Sequence, residues 1–355
     1  MGAAAVDEAK LEAFMGKAVM DMGAVISAPL MMIGEKLGLY KAMAGAGGLS
    51  SQEVAERSGA AERYVREWLA NQAAGGYLTY DAQTGRFTLP DEHALALADE
   101  DSPFYLLGAF ELIASLYADE DQIREAFRTG AGMGWHEHDH RLFSGTERFF
   151  RPGYRAHLVS EWIPALEGVQ AKLERGARVA DLGCGHGAST VIMAKAFPAS
   201  EFRGFDYHAP SIEHARQAAE EAGVAARTSF EVASAEEYPG SGYDLVCAFD
   251  CLHDMGDPVG ASVHVHETLA SDGAWMIVEP FANDDLEDNL NPVGRLFYGA
   301  STVICTPASL DQDVGLALGA QAGEARLCEV VTQGGFTRVR RATETPFNLI
   351  LEAKP

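Results

Sequence analysis

Positive charge is scarce in this chain. Lys and Arg number 27 against 52 Asp and Glu, for a formal net charge of −25. A surface that acidic repels phosphate backbones, which argues against nucleic acid as a partner and favours solubility. Cysteine is sparse too. The five residues Cys184, Cys247, Cys251, Cys305 and Cys328 are odd in number and contain no C-x-x-C pair. That argues against a disulfide framework and against a zinc knuckle. Long apolar runs are missing: the longest early one, about Gly23 to Gly34, is too short to span a bilayer. Asp7, Glu8, Glu12 and Asp21 stand where a secretory signal would be basic and then apolar. These features predict a cytoplasmic protein without a membrane segment.

Apolar residues are plentiful, at 47% of 355, enough for two cores and a connector. Residues 29–43 carry apolar side chains at helical spacing, with Pro29 placed for a first turn. Ser50 to Glu53 reads as a capping box, and a further helix over 60–73 stops at Gly75-Gly76. YLTY (77–80) and RFTLP (86–90) then flank a turn as a hairpin. Helices followed by a hairpin predict a winged helix over residues 1–100. Within 35–86, six basic residues are cancelled by six acidic ones, so the pattern suits dimerisation better than DNA reading. Residues 101–172 read as a helical connector or lid. From 173 to 355 strands alternate with helices, which predicts a parallel sheet covered by helices, closed by a terminal antiparallel hairpin.

The most informative stretch is VADLGCGHGAST, Val179 to Thr190. Asp181 ends an apolar strand, and Gly183, Gly185 and Gly187 follow on alternate positions. Side chains would obstruct so tight a turn, and the bare backbone makes a shelf for a small ligand beyond the strand ends. Gly183, Gly185 and Ala188 also satisfy the dinucleotide pattern, so the glycines alone leave NAD(P) open. Asp181 can meet a cationic part of the ligand, and Gly187 suits an amino-acid moiety better than a pyrophosphate. Asp206 ends the next strand, where a carboxylate can accept from ribose hydroxyls in either case.

The strand-end series VADLGCGHG, FRGFDYH, FEVASAE and YDLVCAFDCLHD, over about 175–355, resembles that of class I S-adenosylmethionine (SAM)-dependent methyltransferases. The resemblance implies a Rossmann-like α/β sheet and SAM as cofactor. It implies Asp181, Gly183, Gly185 and Gly187 at the methionine end and Asp206 and Tyr207 at the ribose and adenine. Ser234, Ala235 and Glu236 would border the adenine, and Phe249 would add a further contact. The family often has Asp where this chain has Ser234.

His253 follows the fourth strand of this half, at the sheet's carboxyl edge and expected to face the cofactor mouth. A neutral imidazole there can take the proton of an attacking hydroxyl, and Glu279, ending the next strand, can fix its tautomer. The plainer alternatives are a helix-capping histidine and a strand-end acid. The His-Asp pair resembles that of the plant-type winged-helix small-molecule O-methyltransferases, in which the histidine is the general base. Met255 stands where that pattern has Trp. FFRPGY, GHGAST, FDCLHDMGDP and AQAGEA also resemble actinobacterial methyltransferases of the same two-part layout. The resemblance implies a homodimer and a small, apolar or aromatic acceptor, with Phe297, Tyr298 and Cys305 as a pocket roof or as core. His136 to His140 read as a solvated loop or lid, and no metal site is expected. The rival readings are a SAM-gated transcriptional regulator without catalysis, an N-methyltransferase, and an NAD(P) oxidoreductase.

Overall fold

Ser50 and Glu53 are spaced to satisfy each other's backbone N–H groups. In the computed structural model, which describes residues 6–355, they do so. The Ser50 N–H donates to Glu53 Oε2 at 2.7 Å and the Glu53 N–H to Ser50 Oγ at 3.3 Å. The described residues divide into two compact units, one ending at Ala114 and the other beginning at Ser115.

The first unit holds α1 (Glu8–Lys36), α2 (Leu39–Met43), α3 (Ser51–Ser58) and α4 (Glu62–Ala74). A hairpin of β1 (Thr79–Asp81) and β2 (Arg86–Thr88) follows. Its core centres on Tyr40 and Trp68, in edge contact with ring centroids 4.9 Å apart. Buried Gln72 is satisfied by the Tyr40 hydroxyl, which donates to its Oε1 at 2.7 Å. The expected helix over 29–43 is instead two. Pro29 lies inside α1, and the break comes at Gly38, whose φ of 67° favours glycine. Starting at Glu8, α1 spans 29 residues, long and apolar enough to cross a membrane by length and composition. That is a matter of length and composition alone, which single helices of other kinds of protein also satisfy. Phe14, Met15, Val19 and Met20 on α1 are exposed.

In the second unit, seven strands begin at 178; the inner ones are mostly apolar, as strands buried on both faces must be, whereas the two at the edges are largely polar. The seven are β3 (Arg178–Leu182), β4 (Glu201–Asp206), β5 (Thr228–Val232), β6 (Tyr243–Phe249), β7 (Leu269–Pro280), β8 (Arg338–Glu344) and β9 (Asn348–Lys354). The order is β5-β4-β3-β6-β7-β9-β8, with β3 to β7 parallel and β9 antiparallel to both of its neighbours, β7 and β8. Alternate residues of β6 serve the two layers: Leu245 and Cys247 on one face, Val246 and Ala248 on the other. On β9, Glu352 is buried and neutralised by Arg340.

The chain runs outward from β3 to β5, then returns to β6 on the other side of β3. That reversal is the topological switch point at which open parallel sheets bind ligands. Leu182 pairs with Phe205 and with Ala248, so the turns after β3, β4 and β6 leave the sheet at one edge.

Candidate active site

A cavity of about 740 Å³ lies over that edge. Gly183 and Gly185 line it with φ of 62° and 51°, a region that β-carbons resist. A β-carbon on Gly183 would also come within 2.9 Å of Cys251 Sγ. Gly187, expected on the shelf, does not line the cavity. It precedes the helix Ala188–Ala196 and packs inward, where a β-carbon would meet that of Ala215 at 2.9 Å.

Asp181 is buried beneath the wall rather than on it. One oxygen accepts from Ser189 Oγ at 2.7 Å and Thr190 Oγ1 at 2.5 Å, fastening the following helix to β3. Its Oδ1 has no partner among the described residues, and burial pushes its carboxyl up to about 6. Asp206 does line the cavity. It accepts from the Gly185 N–H at 2.9 Å and the His208 N–H at 2.8 Å, and burial raises its pKa. Tyr207, Ser234, Ala235, Glu236 and Phe249 line the cavity as well.

His253 does not face the mouth as expected. It is 3% exposed and stands behind Asp254. Its Nδ1 is hydrogen-bonded to Glu279 Oε2, and its Nε2 lies 3.0 Å from Asp254 Oδ1. Glu279 also accepts from the Leu252 N–H at 2.9 Å, which holds the short turn after β6 against β7. Burial disfavours the imidazolium, yet Glu279 and Asp254 outweigh that and hold the His253 pKa well above its ordinary value. Asp254 is the member of the group that reaches the cavity, where its Oδ2 accepts from Trp135 Nε1 at 3.0 Å.

Residues 173–312 match the methyltransferase domain family, and residues 25–99 match the Rv2258c-like winged HTH domain. The chain thus joins a winged-helix domain to a methyltransferase domain. Mitomycin 7-O-methyltransferase MmcR is similar, with a TM-score of 0.70 and 18% identity over 98% of this chain and 100% of its own. An O-methyltransferase family protein from Burkholderia thailandensis gives 0.68 and 18%, over 99% of each chain. Human N-acetylserotonin methyltransferase, solved with SAM, gives 0.64 and 16%, over 100% of this chain and 99% of its own. At this identity the likeness shows a shared fold. No curated protein matches the sequence.

Several wall residues of the methyltransferase domain escape a reading by motif. Asp250 has a φ of 51°, unusual for a residue with a β-carbon. Its carboxylate accepts from Tyr154 Oη at 2.8 Å and Asn348 Nδ2 at 3.2 Å, and burial pushes its pKa up to about 7. Trp135 and Phe143, from the segment before β3, pack edge to face at 5.7 Å, and Phe143 stacks on His208 at 4.3 Å. The expected roof of Phe297, Tyr298 and Cys305 is absent from the wall. Phe297 and Cys305 are buried as core, and Ala308 and residues 311–314 face the cavity instead. The histidines of 136–140 diverge: His136 lines the cavity, His138 is buried on Asp119 at 2.9 Å, and the His140 side chain is 89% exposed. The wall contains eight Asp and Glu side chains and, among the described residues, no Lys or Arg.

Proposed function

We propose that the chain binds SAM on the Gly183–Gly185 turn and Asp206 and methylates a hydroxyl of a small, largely apolar acceptor. The observation that carries this reading is the single cavity. It joins a bare backbone turn and a ribose-accepting carboxylate to an aromatic wall of Trp135, Phe143, Phe150 and Tyr154. Its volume suits a small-molecule site. Bound SAM supplies an electrophilic methyl on a sulfonium.

The chain's own residues align the acceptor, exclude water and take its proton. Asp254 is the cavity-facing proton acceptor. His253, cationic between two carboxylates and fixed by Glu279, orients Asp254 and stabilises its charge, a positioning role rather than direct contact. As the O–H bond breaks, its proton passes to Asp254. The oxygen takes the methyl, and the C–S electron pair stays on sulfur as a neutral thioether. S-adenosylhomocysteine, but not NAD, is expected to raise the melting temperature, and labelled methyl is expected to pass to a phenolic or alcoholic acceptor. Stabilisation by NAD alone would refute the reading.

Asp250 gives a pH signature. Its folded carboxyl, at about 7, lies above the unfolded value of ~3.9. The neutral form therefore stabilises the free protein at acid pH, and that contribution is lost as pH rises through about 7. SAM, a cation, binds the ionised form better. Its affinity is expected to rise several-fold between pH 6 and 8, and to change much less in Asp250→Asn; calorimetry at both pH values measures this.

The acidic wall also favours a second reading, methylation of an amine, which the cavity would attract as a cation. Mass spectrometry of the product separates the two. Regulation through DNA fits less well, because Arg63 and Arg66 on α4 are paired with Glu67 at 2.6 Å and Glu62 at 2.8 Å. The exposed apolar side chains of α1 suit pairing with a second copy of the chain. The five cysteines are all free thiols, which suits the cytoplasm.

A further inference from the structure

Three potential ligands that no sequence motif links meet beside the cavity mouth. Glu147 comes from the helix Arg141–His157, His186 from the glycine turn, and His214 from the helix Ala209–Glu221. One donor atom from each lies within 4.8 Å of the others. We propose that these residues form a binding site for a divalent ion of the zinc, cobalt or nickel class.

The geometry supports coordination. Glu147 Oε2 lies 3.1 Å from His186 Nδ1. Donors on adjacent vertices around such an ion stand about 2.9–3.4 Å apart, given metal–nitrogen bonds of ~2.1 Å. The imidazoles of His186 and His214 have centroids 4.3 Å apart and planes inclined by 22°. Glu147 uses its other oxygen, Oε1, for Arg151 at 2.9 Å, which leaves Oε2 to the ion. His214 is exposed and free to close the remaining gap by a change of rotamer. Two imidazoles and one carboxylate select a borderline transition ion over magnesium or calcium. Glu147 and His186 both line the cavity, so the coordination positions left open are on that side. The ion would tie the helix carrying Glu147 to the glycine turn and to the helix after β4.

The test is calorimetric titration of the tag-free full-length protein with Zn²⁺, together with visible absorption of its Co²⁺ form. One equivalent is expected to bind, to raise the melting temperature, and to give the intense bands of a low-symmetry cobalt site. His214→Ala, at an exposed position off the cavity wall, is expected to weaken binding by more than about ten-fold and to remove the thermal shift. Glu147→Gln should do the same. Absence of binding overturns the proposal, as does equal affinity in the wild type and both variants. A Cys305→Ser variant serves as control, because His253, Asp254 and Cys305 are the other group of three able to hold an ion. Loss of binding in that variant alone also overturns the proposal.

Discussion

Asp254→Asn is expected to lower turnover by about 10²–10⁴-fold, the contribution of a positioned acid or base, while S-adenosylhomocysteine binds with unchanged affinity. The amide is nearly isosteric and can still accept from the Trp135 indole, so the wall keeps its shape. What it loses is the capacity to take a proton, together with the negative charge facing His253. His253→Gln is expected to fall by a smaller factor, because the cavity-facing carboxylate remains and only its orientation and charge balance suffer. The pH–rate profile separates the two variants. Asp254→Asn should lower the rate across the whole profile, whereas His253→Gln should lower it less at every pH. If Asp254→Asn retains wild-type turnover on the physiological acceptor while His253→Gln does not, His253 turns into the cavity during the reaction and acts directly.

Asp206→Ala is expected to act on binding instead. The carboxylate holds the Gly185 and His208 N–H groups, and Asp206 lines the cavity where the ribose is proposed to bind. Removing it leaves two backbone donors without their partner and deletes the ligand contacts. A loss of about 2–4 kcal/mol corresponds to roughly 30- to 900-fold weaker SAM binding. Calorimetry with S-adenosylhomocysteine measures the loss, and thermal unfolding of the free variant confirms that the sheet remains intact. Asp206→Asn should recover only part of the affinity, because its amide nitrogen cannot accept. Full affinity in the alanine variant would mean that the ribose is held elsewhere.

The two-part fold was legible because its signals are local. The capping box at Ser50, the strand-end glycines and the apolar runs of the inner strands each depend on neighbours within a few residues. Asp206 and Ser234 to Glu236 could be placed on the cavity wall for the same reason, since each ends a strand or follows one. Gly187 shows where local pattern stops: a glycine kept free of side chain for a ligand and one kept free for Ala215 look alike in sequence. His253 shows it again. Its position after β6 was readable, but its burial depends on Asp254 and on the Trp135 indole, 119 residues away from Asp254 in the chain. Asp250 gave no signal either, because a left-handed backbone at a non-glycine residue follows from packing around Tyr154 and Asn348. The convergence of His186 with Glu147 and His214 likewise required the fold, since the three come from separate elements.

The cavity wall without Lys or Arg bears on what happens after the methyl has left. The ligand enters with a sulfonium charge that eight surrounding carboxyl groups favour, and it departs as a neutral thioether that they favour less. The wall is thus expected to hold the cationic cofactor more tightly than its neutral product, and competition between the two in a titration measures the difference.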